Sequence, residues 1–236
     1  MASTADLMRF LAAALALALT QIAVADDDMR ERLAACAACH GDEGQGIRGA
    51  EYFPHLAGKP SGYLLEQLQG FREGRRANTQ MTWLVQYLDD PYMKEIADYY
   101  AQLPPRTHAA DAHPNLTPDQ AALAARLVND GDASRHLPAC GACHGKNLAG
   151  LQPGVPALVA LPADYVAAQL GAWRTGTRKS VAPDCMHDVA SALSEAEIVA
   201  IANYLSGRSS DEGAKPAAAG SFAPPVACGV LPRQAP

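Results

Sequence analysis

The sequence predicts an all-α protein built from two tandem copies of one small helical unit. Three observations carry that expectation. The pentapeptide Cys36-Ala37-Ala38-Cys39-His40 recurs as Cys140-Gly141-Ala142-Cys143-His144, and a glycine follows each copy. The residues downstream of the two copies repeat in register. Helix caps and helical spacing organise the stretches between glycine- and proline-rich loops, whereas strand signals are weak.

Taken in order, the chain opens on a segment that stands apart from the fold. Arg9 precedes an apolar run from Phe10 to Leu19, and Ala23-Val24-Ala25 forms a small-x-small cleavage site. The pattern marks residues 1–25 as a secretory signal peptide. The run is shorter than the about 20 residues a membrane span needs, and no later segment is apolar enough to cross a bilayer. A soluble, exported protein is expected, with no transmembrane segment after cleavage. In a bacterium that places it in the periplasm.

The mature chain is expected to divide into an N-terminal domain at 26–104, a linker at 105–116, a C-terminal domain at 117–207 and a low-complexity tail at 208–236. A short helix from Asp26 to Ala35 leads into the first motif. The second is preceded by a helix from Thr117 to about Asn129, opened by the capping box Thr117-Pro118-Asp119-Gln120. Loops follow each motif, at 41–60 and 145–162, and then middle helices at 61–73 and 163–175. A methionine-bearing loop comes next in each half. Closing helices run over 91–102, behind the cap Asp90, and 195–205, behind the capping box Ser194-Glu195-Ala196-Glu197. Prolines 104, 105 and 114 make the linker semi-rigid. The tail, rich in Gly, Ala, Pro and Ser, is expected to be poorly ordered except where Cys228 ties it down.

The repeat is detailed. At an offset of 102, Tyr63, Gln67, Leu68, Phe71, Arg72, Gly74 and Arg76 match Tyr165, Gln169, Leu170, Trp173, Arg174, Gly176 and Arg178. At an offset of 105, Met81, Leu88, Ile96 and Tyr99 match Met186, Leu193, Ile201 and Tyr204. The chain therefore reads as a duplicated unit.

The repeated pentapeptide is C-x-x-C-H, the attachment sequence of a c-type haem. Two thiols three residues apart share one face of a helical turn and can each form a thioether to one porphyrin. The adjoining histidine then supplies an axial nitrogen to the iron. One C-x-x-C could equally be a redox dithiol or half a zinc site; two copies, each with its histidine, argue against both. Two covalently bound haem c groups are expected, held through Cys36, Cys39, Cys140 and Cys143, with His40 and His144 on the irons. A porphyrin would also add apolar mass to units too small for a large core.

The sixth iron position decides the task of a haem. Met81 and Met186 are the candidates. They lie 41 and 42 residues after their histidines, at matching places in the repeat. A lone methionine is ordinarily core filler, and Met93 reads that way, but the shared register singles out these two. Cys185 and His187 flank Met186, and either could also ligate iron. Of the six cysteines, Cys185 and Cys228 are left over, and an oxidising compartment with an even count favours a disulfide between them.

Other residues carry weaker signals. His55, His108, His113 and His136 read as solvated or locally hydrogen-bonded. Arg75, Arg76, Arg178 and Lys179 suit haem carboxylates, a docking rim or simply a solvated loop. Tyr63, Tyr165, Phe71 and Trp173 recur at helical spacing, as core residues do. The net charge of −6 offers no concentrated basic face, which excludes nucleic acid as a natural partner.

The two C-x-x-C-H-G motifs, the downstream methionines, Tyr99-Tyr100 and Leu193-Ser194-Glu195-Ala196-Glu197-Ile198 resemble the periplasmic dihaem cytochrome c4 family, over nearly all of residues 29–207. The resemblance implies two tandem class I cytochrome c domains, each wrapped around one haem with His/Met ligation. It implies electron transfer between a membrane or periplasmic donor and a terminal oxidase or reductase, with no catalytic residues. Cys185 and the Cys228 tail depart from the family pattern. Alternatives are a haem enzyme, thiosulfate-oxidising or peroxidase-like, with its chemistry near Cys185 and His187, or the electron-transfer subunit of a larger dehydrogenase.

Overall fold

The structure is a computed structural model, described here for residues 29–49, 51–106, 108–110, 115–209 and 214–231. The signal peptide and His113 lie outside the described residues. The described chain is all-α and falls into two similar helical halves.

The first half contains α1 (Ala34–His40), α2 (Ser61–Arg72), α3 (Thr79–Val85) and α4 (Asp90–Gln102). The second contains α5 (Pro118–Asn129), α6 (Gly141–His144), α7 (Ala163–Arg174), α8 (Cys185–Ser191) and α9 (Glu195–Ser206). A helical turn at 29–32 precedes α1. A ribbon of two residues a side, β1 (Ile47–Arg48) against β2 (Tyr52–Phe53), pairs Ile47 with Phe53 in the first loop. It is too short to alter the class.

Caps locate the helices. The boxes at Thr117/Gln120 and Ser194/Glu197 both form, with each side chain reaching the other's backbone N–H. Pro60 and Pro162 precede the two middle helices. Two expectations need correction. The cap of α4 is Asp89, whose carboxylate accepts from Tyr92 N–H, while Asp90 is already helical and pairs with Arg72. The methionine segments are helical turns rather than loops. Asn78 accepts from Met81 N–H and Asp184 from His187 N–H, and each cap starts a two-turn helix.

Each half has its own core. In the first, Leu33, Leu64, Ile96, Ala97 and Tyr100 pack where α2 crosses α4, and Phe71, Val85 and the fully buried Met93 continue the layer. In the second, α9 lies against α7 and α5 through Leu127, Val128, Leu170, Ile201 and Leu205. Pro105 packs on Gly58 and Arg48 donates to Ala110 O, so the start of the linker lies on the first half, whereas Leu116 at its end packs on the core of the second.

The tail is the largest departure from expectation. Residues 214–231 lie along the second half as a strap. Ala217 bonds to Gly150 O and Gln152 N–H, Gly229 N–H donates to Pro183 O, and Cys228 is bonded to Cys185. Its small residues make it a strap that backbone hydrogen bonds can hold, although composition alone suggests disorder.

Glu197 joins a cap to a loop. Arg135 holds its carboxylate bidentately, and Ser194 N–H adds a further bond. These lower its pKa from an ordinary 4.5 to about 2, with the Arg135 contact the largest cause and burial opposing it. A depressed carboxylate contributes stability that is full above its unfolded pKa and lost as pH falls through its folded value. The contribution should therefore fade between about pH 4.5 and about pH 2. Glu197→Gln is expected to cost about 1 kcal/mol at pH 7 and little at pH 2. Denaturant melts of the two proteins at both pH values would show the difference closing; a constant gap would contradict it.

Candidate functional site

Each pentapeptide is followed by a glycine whose backbone conformation only glycine readily adopts. Gly41 has φ 82° and ψ 153°, and Gly145 has φ 81° and ψ 152°. That region is closed to residues with a Cβ. The chain therefore leaves the helix sharply after each histidine, and the following loop folds back over the imidazole. Nδ1 of His40 lies 2.7 Å from Pro54 O, and Nδ1 of His144 lies 2.8 Å from Pro156 O. A carbonyl only accepts, so each Nδ1 carries the proton and each Nε2 keeps its lone pair. Burial lowers both imidazole pKa values, which keeps the rings neutral and able to bind metal.

Each half encloses one cavity. The first gathers Cys36, Cys39, His40 and Met81 around Leu68, Phe71 and Ile96. The second gathers Cys140, Cys143, His144 and Met186 around Leu170, Trp173 and Ile201. Burial raises the thiol pKa of Cys36 and lifts that of Cys140 to about 11. These are poor thiolates, unlike the cysteines of a dithiol oxidoreductase. Among the described residues, no three His, Cys, Asp or Glu side chains converge as a metal cage. A flat, apolar macrocycle that consumes the thiols and takes one imidazole fits both cavities.

The two cavities meet at a seam built by the repeat. Arg76 donates to Gln67 of its own half at 3.0 Å and to Gln169 and Tyr165 of the other at 3.0 and 3.1 Å. Arg178 mirrors it, reaching Gln169 at 2.6 Å, Gln67 at 2.6 Å and Tyr63 at 3.3 Å. The two arginines also face each other in an antiparallel bridge, and Lys179 N–H donates to Arg75 O. Arg178 stacks over Trp173 at 3.7 Å, and Tyr52 meets Tyr165 edge-on. Burial pushes the Tyr63 hydroxyl pKa up, but Arg178 and Arg76 overcome it and lower the value.

Several expectations change here. Arg178 is 4 % exposed, so the solvated-loop reading fails for it. Arg75 is held by Glu66 instead of standing free for a ligand. Tyr63 and Tyr165 are seam hydrogen-bonding residues as well as packing ones. Cys185 Sγ is bonded to Cys228, so it has no thiol to offer an iron or a substrate. His187 Nδ1 is tied to Trp173 O at 2.9 Å. His108 and His136 are exposed, whereas His55 is buried and bonded to Tyr52 Oη. The caps Asn78 and Asp184 were missed, although an Asn or Asp three residues ahead of the N–H it accepts from is a helix-start signal. Lys59 was missed too: it is 7 % exposed and lines both cavities, with no motif to announce it.

A duplicated helical unit with a largely apolar cavity in each copy, lined by the cysteines and histidine of its C-x-x-C-H, defines a dihaem c-type cytochrome. It is an electron-transfer protein with covalently bound haem c. A cytochrome c family model matches residues 31–127. The chain is 38 % identical to a thiosulfate dehydrogenase electron acceptor of Thiomonas intermedia over 73 % of its length and 77 % of that protein. It is 36 % identical to cytochrome c4 of Pseudomonas aeruginosa over 82 % of its length and 94 % of that protein. Reduced cytochrome c4 of Pseudomonas stutzeri superposes with a TM-score of 0.65 and 32 % identity, covering 77 % of this chain and 97 % of that one. The thiosulfate dehydrogenase TsdBA of Marichromatium purpuratum superposes with a TM-score of 0.64 and 34 % identity over 73 % of this chain, which spans only 36 % of that longer protein. The chain belongs to the dihaem cytochrome c4 family. Among its described residues, no helix is long and apolar enough to cross a membrane.

The disulfide makes a direct expectation. Alkylation of the unreduced protein should leave Cys185 and Cys228 unlabelled, and reduction should expose both to the reagent. A labelled Cys228 peptide before reduction would contradict the bridge.

Proposed function

We propose that the protein is a periplasmic electron carrier with two His/Met haems, exported by residues 1–25. Cys36 and Cys39 hold the first haem covalently, with His40 and Met81 on its iron. Cys140, Cys143, His144 and Met186 do the same for the second. One observation carries this reading: each cavity collects all four residues of its own half. When bound, each haem supplies a reversible one-electron iron couple, and a thioether ligand favours the ferrous state.

The chain's own residues do the remaining work. Pro54 O and Pro156 O orient the imidazoles. The Asn78 and Asp184 caps anchor the short helices that carry the methionines. The Cys185–Cys228 bridge secures α8 one residue before Met186. The seam keeps the two cavities adjacent, which suits an electron passing from one haem to the other. The features that favoured an enzyme, the free thiol of Cys185 and an untethered His187, are both taken up by other bonds.

The partners follow from chemistry and from the relatives. A membrane or periplasmic protein donates electrons, and a terminal oxidase or reductase accepts them. The 38 % identity to a thiosulfate dehydrogenase electron acceptor supports such a dehydrogenase as the donor. The exchange surface is the uncharged patch formed by α3 and the turn after it, where Trp83 is 70 % and Tyr87 91 % exposed beside the Met81 segment. In the second half the matching positions are Asp188 and Ala192, and the strap lies over that cavity.

The oxidised protein should show the near-infrared methionine-to-iron charge-transfer band at two-haem intensity. Met81→Ala and Met186→Ala should each remove about half of it, as one of two equal ligand sites. A full band in either variant would overturn that ligand. Stopped-flow mixing with a reduced thiosulfate dehydrogenase offers a second measurement. Trp83→Ala should slow the bimolecular rate about tenfold, an anchor loss of about 1.4 kcal/mol, and leave the band intact. An unchanged rate would move the exchange surface elsewhere.

A further inference from the structure

Lys59 breaks the symmetry of the seam. It sits between Gly58 and Pro60, at the entrance to α2, and its repeat counterpart at an offset of 102 is Leu161. It is more than nine-tenths buried and lines both cavities, while Leu161 lines only the second. Among the described residues its ammonium has no hydrogen-bond or ion-pair partner. Arg178, also buried, and Arg76, partly buried, are close enough to act on it as like charges. Both arginines bond only to neutral amides and hydroxyls. Glu66 acts on Arg76 from a distance, but Arg75 already holds it, Nη1 donating to both carboxylate oxygens.

Three cations gathered out of water without an anion are expensive to bury. Burial and the two arginines lower the Lys59 pKa to about 8, with Tyr63 opposing them, so the site strains to shed that charge. Lys59 lines both cavities, so an anionic group bound in either would supply the counter-charge. Haem c carries two carboxylates on one edge, opposite in chemistry to this cluster. The second half shows the same need with a neutral group. Trp173 Nε1, where the first half has Phe71, is buried without a partner and faces the second cavity. Each half therefore adds one unmatched donor at the seam, an ammonium in the first and an indole in the second.

We propose that Lys59 is a carboxylate-binding residue at the seam, paired to a propionate of the first haem, and that it holds that haem's reduction potential above the value the repeated residues alone would set. This rests on the dihaem reading above. Reduction lowers the charge of the iron centre by one, so a nearby buried cation favours the ferrous form. Lys59 is thus a positioning and tuning residue.

The test is a spectroelectrochemical titration of the holo-protein, each haem followed by its own shifted methyl resonances in NMR. Lys59→Leu, which copies the other half, should shift the first haem's equilibrium about tenfold toward the ferric form, or about 59 mV downward for one electron. The second haem should move less. Lys59→Met, uncharged and similar in length, should reproduce the shift. Leu161→Lys should raise the second haem's potential. If both Lys59 variants keep two haems and the full methionine band but leave both potentials unmoved, the role of Lys59 is overturned. A wild-type protein with fewer than two haems would overturn the dihaem reading and this proposal with it.

Discussion

A guanidinium is a planar fork of five donors that never loses its charge, and two of them join this protein together. Gln67 Oε1 accepts from Arg76 and Arg178, and so does Gln169 Oε1. Each arginine adds the tyrosine of the opposite half. Pulling the halves apart would strand buried donors and acceptors at once, and such groups are costly to leave unmet. The crossing therefore sets how α2 faces α7, and with them how the two cavities face each other. A lysine at either position has the charge but not the reach to three acceptors.

Duplication makes such a seam easy to form, because one solution serves both halves. The same duplication leaves the two sites identical unless something breaks the symmetry. Three features do so here. Lys59 stands where the repeat has Leu161, Trp173 stands where it has Phe71, and the strap covers only the second cavity. Trp83 and Tyr87 remain exposed on the first half. A carrier that takes an electron on one side and passes it on from the other needs this kind of inequality between its sites.

Much of this was readable from the chain. The pentapeptides carry their own chemistry, since thiol spacing and an adjoining imidazole are dictated by one porphyrin. The register of Met81 with Met186 came from counting residues, and the structure brings each into the cavity of its own histidine. The capping boxes at Thr117 and Ser194 are local and formed as written. Weaker local signals went astray. Asp89 outcompeted Asp90 as a cap because Arg72 engages the latter. Composition suggested a disordered tail, but one disulfide and a few backbone hydrogen bonds hold it.

By itself the sequence determined the attachment chemistry, the duplication and the helical class, because these depend on residues close together in the chain or on exact repetition. Only the tertiary structure decided where Arg76, Arg178 and Lys59 reside. Their meaning comes from partners about 100 residues away, and no local pattern encodes a contact between repeats. Burial decided among the readings open for Arg76 and Arg178, placing both at the junction between the two halves.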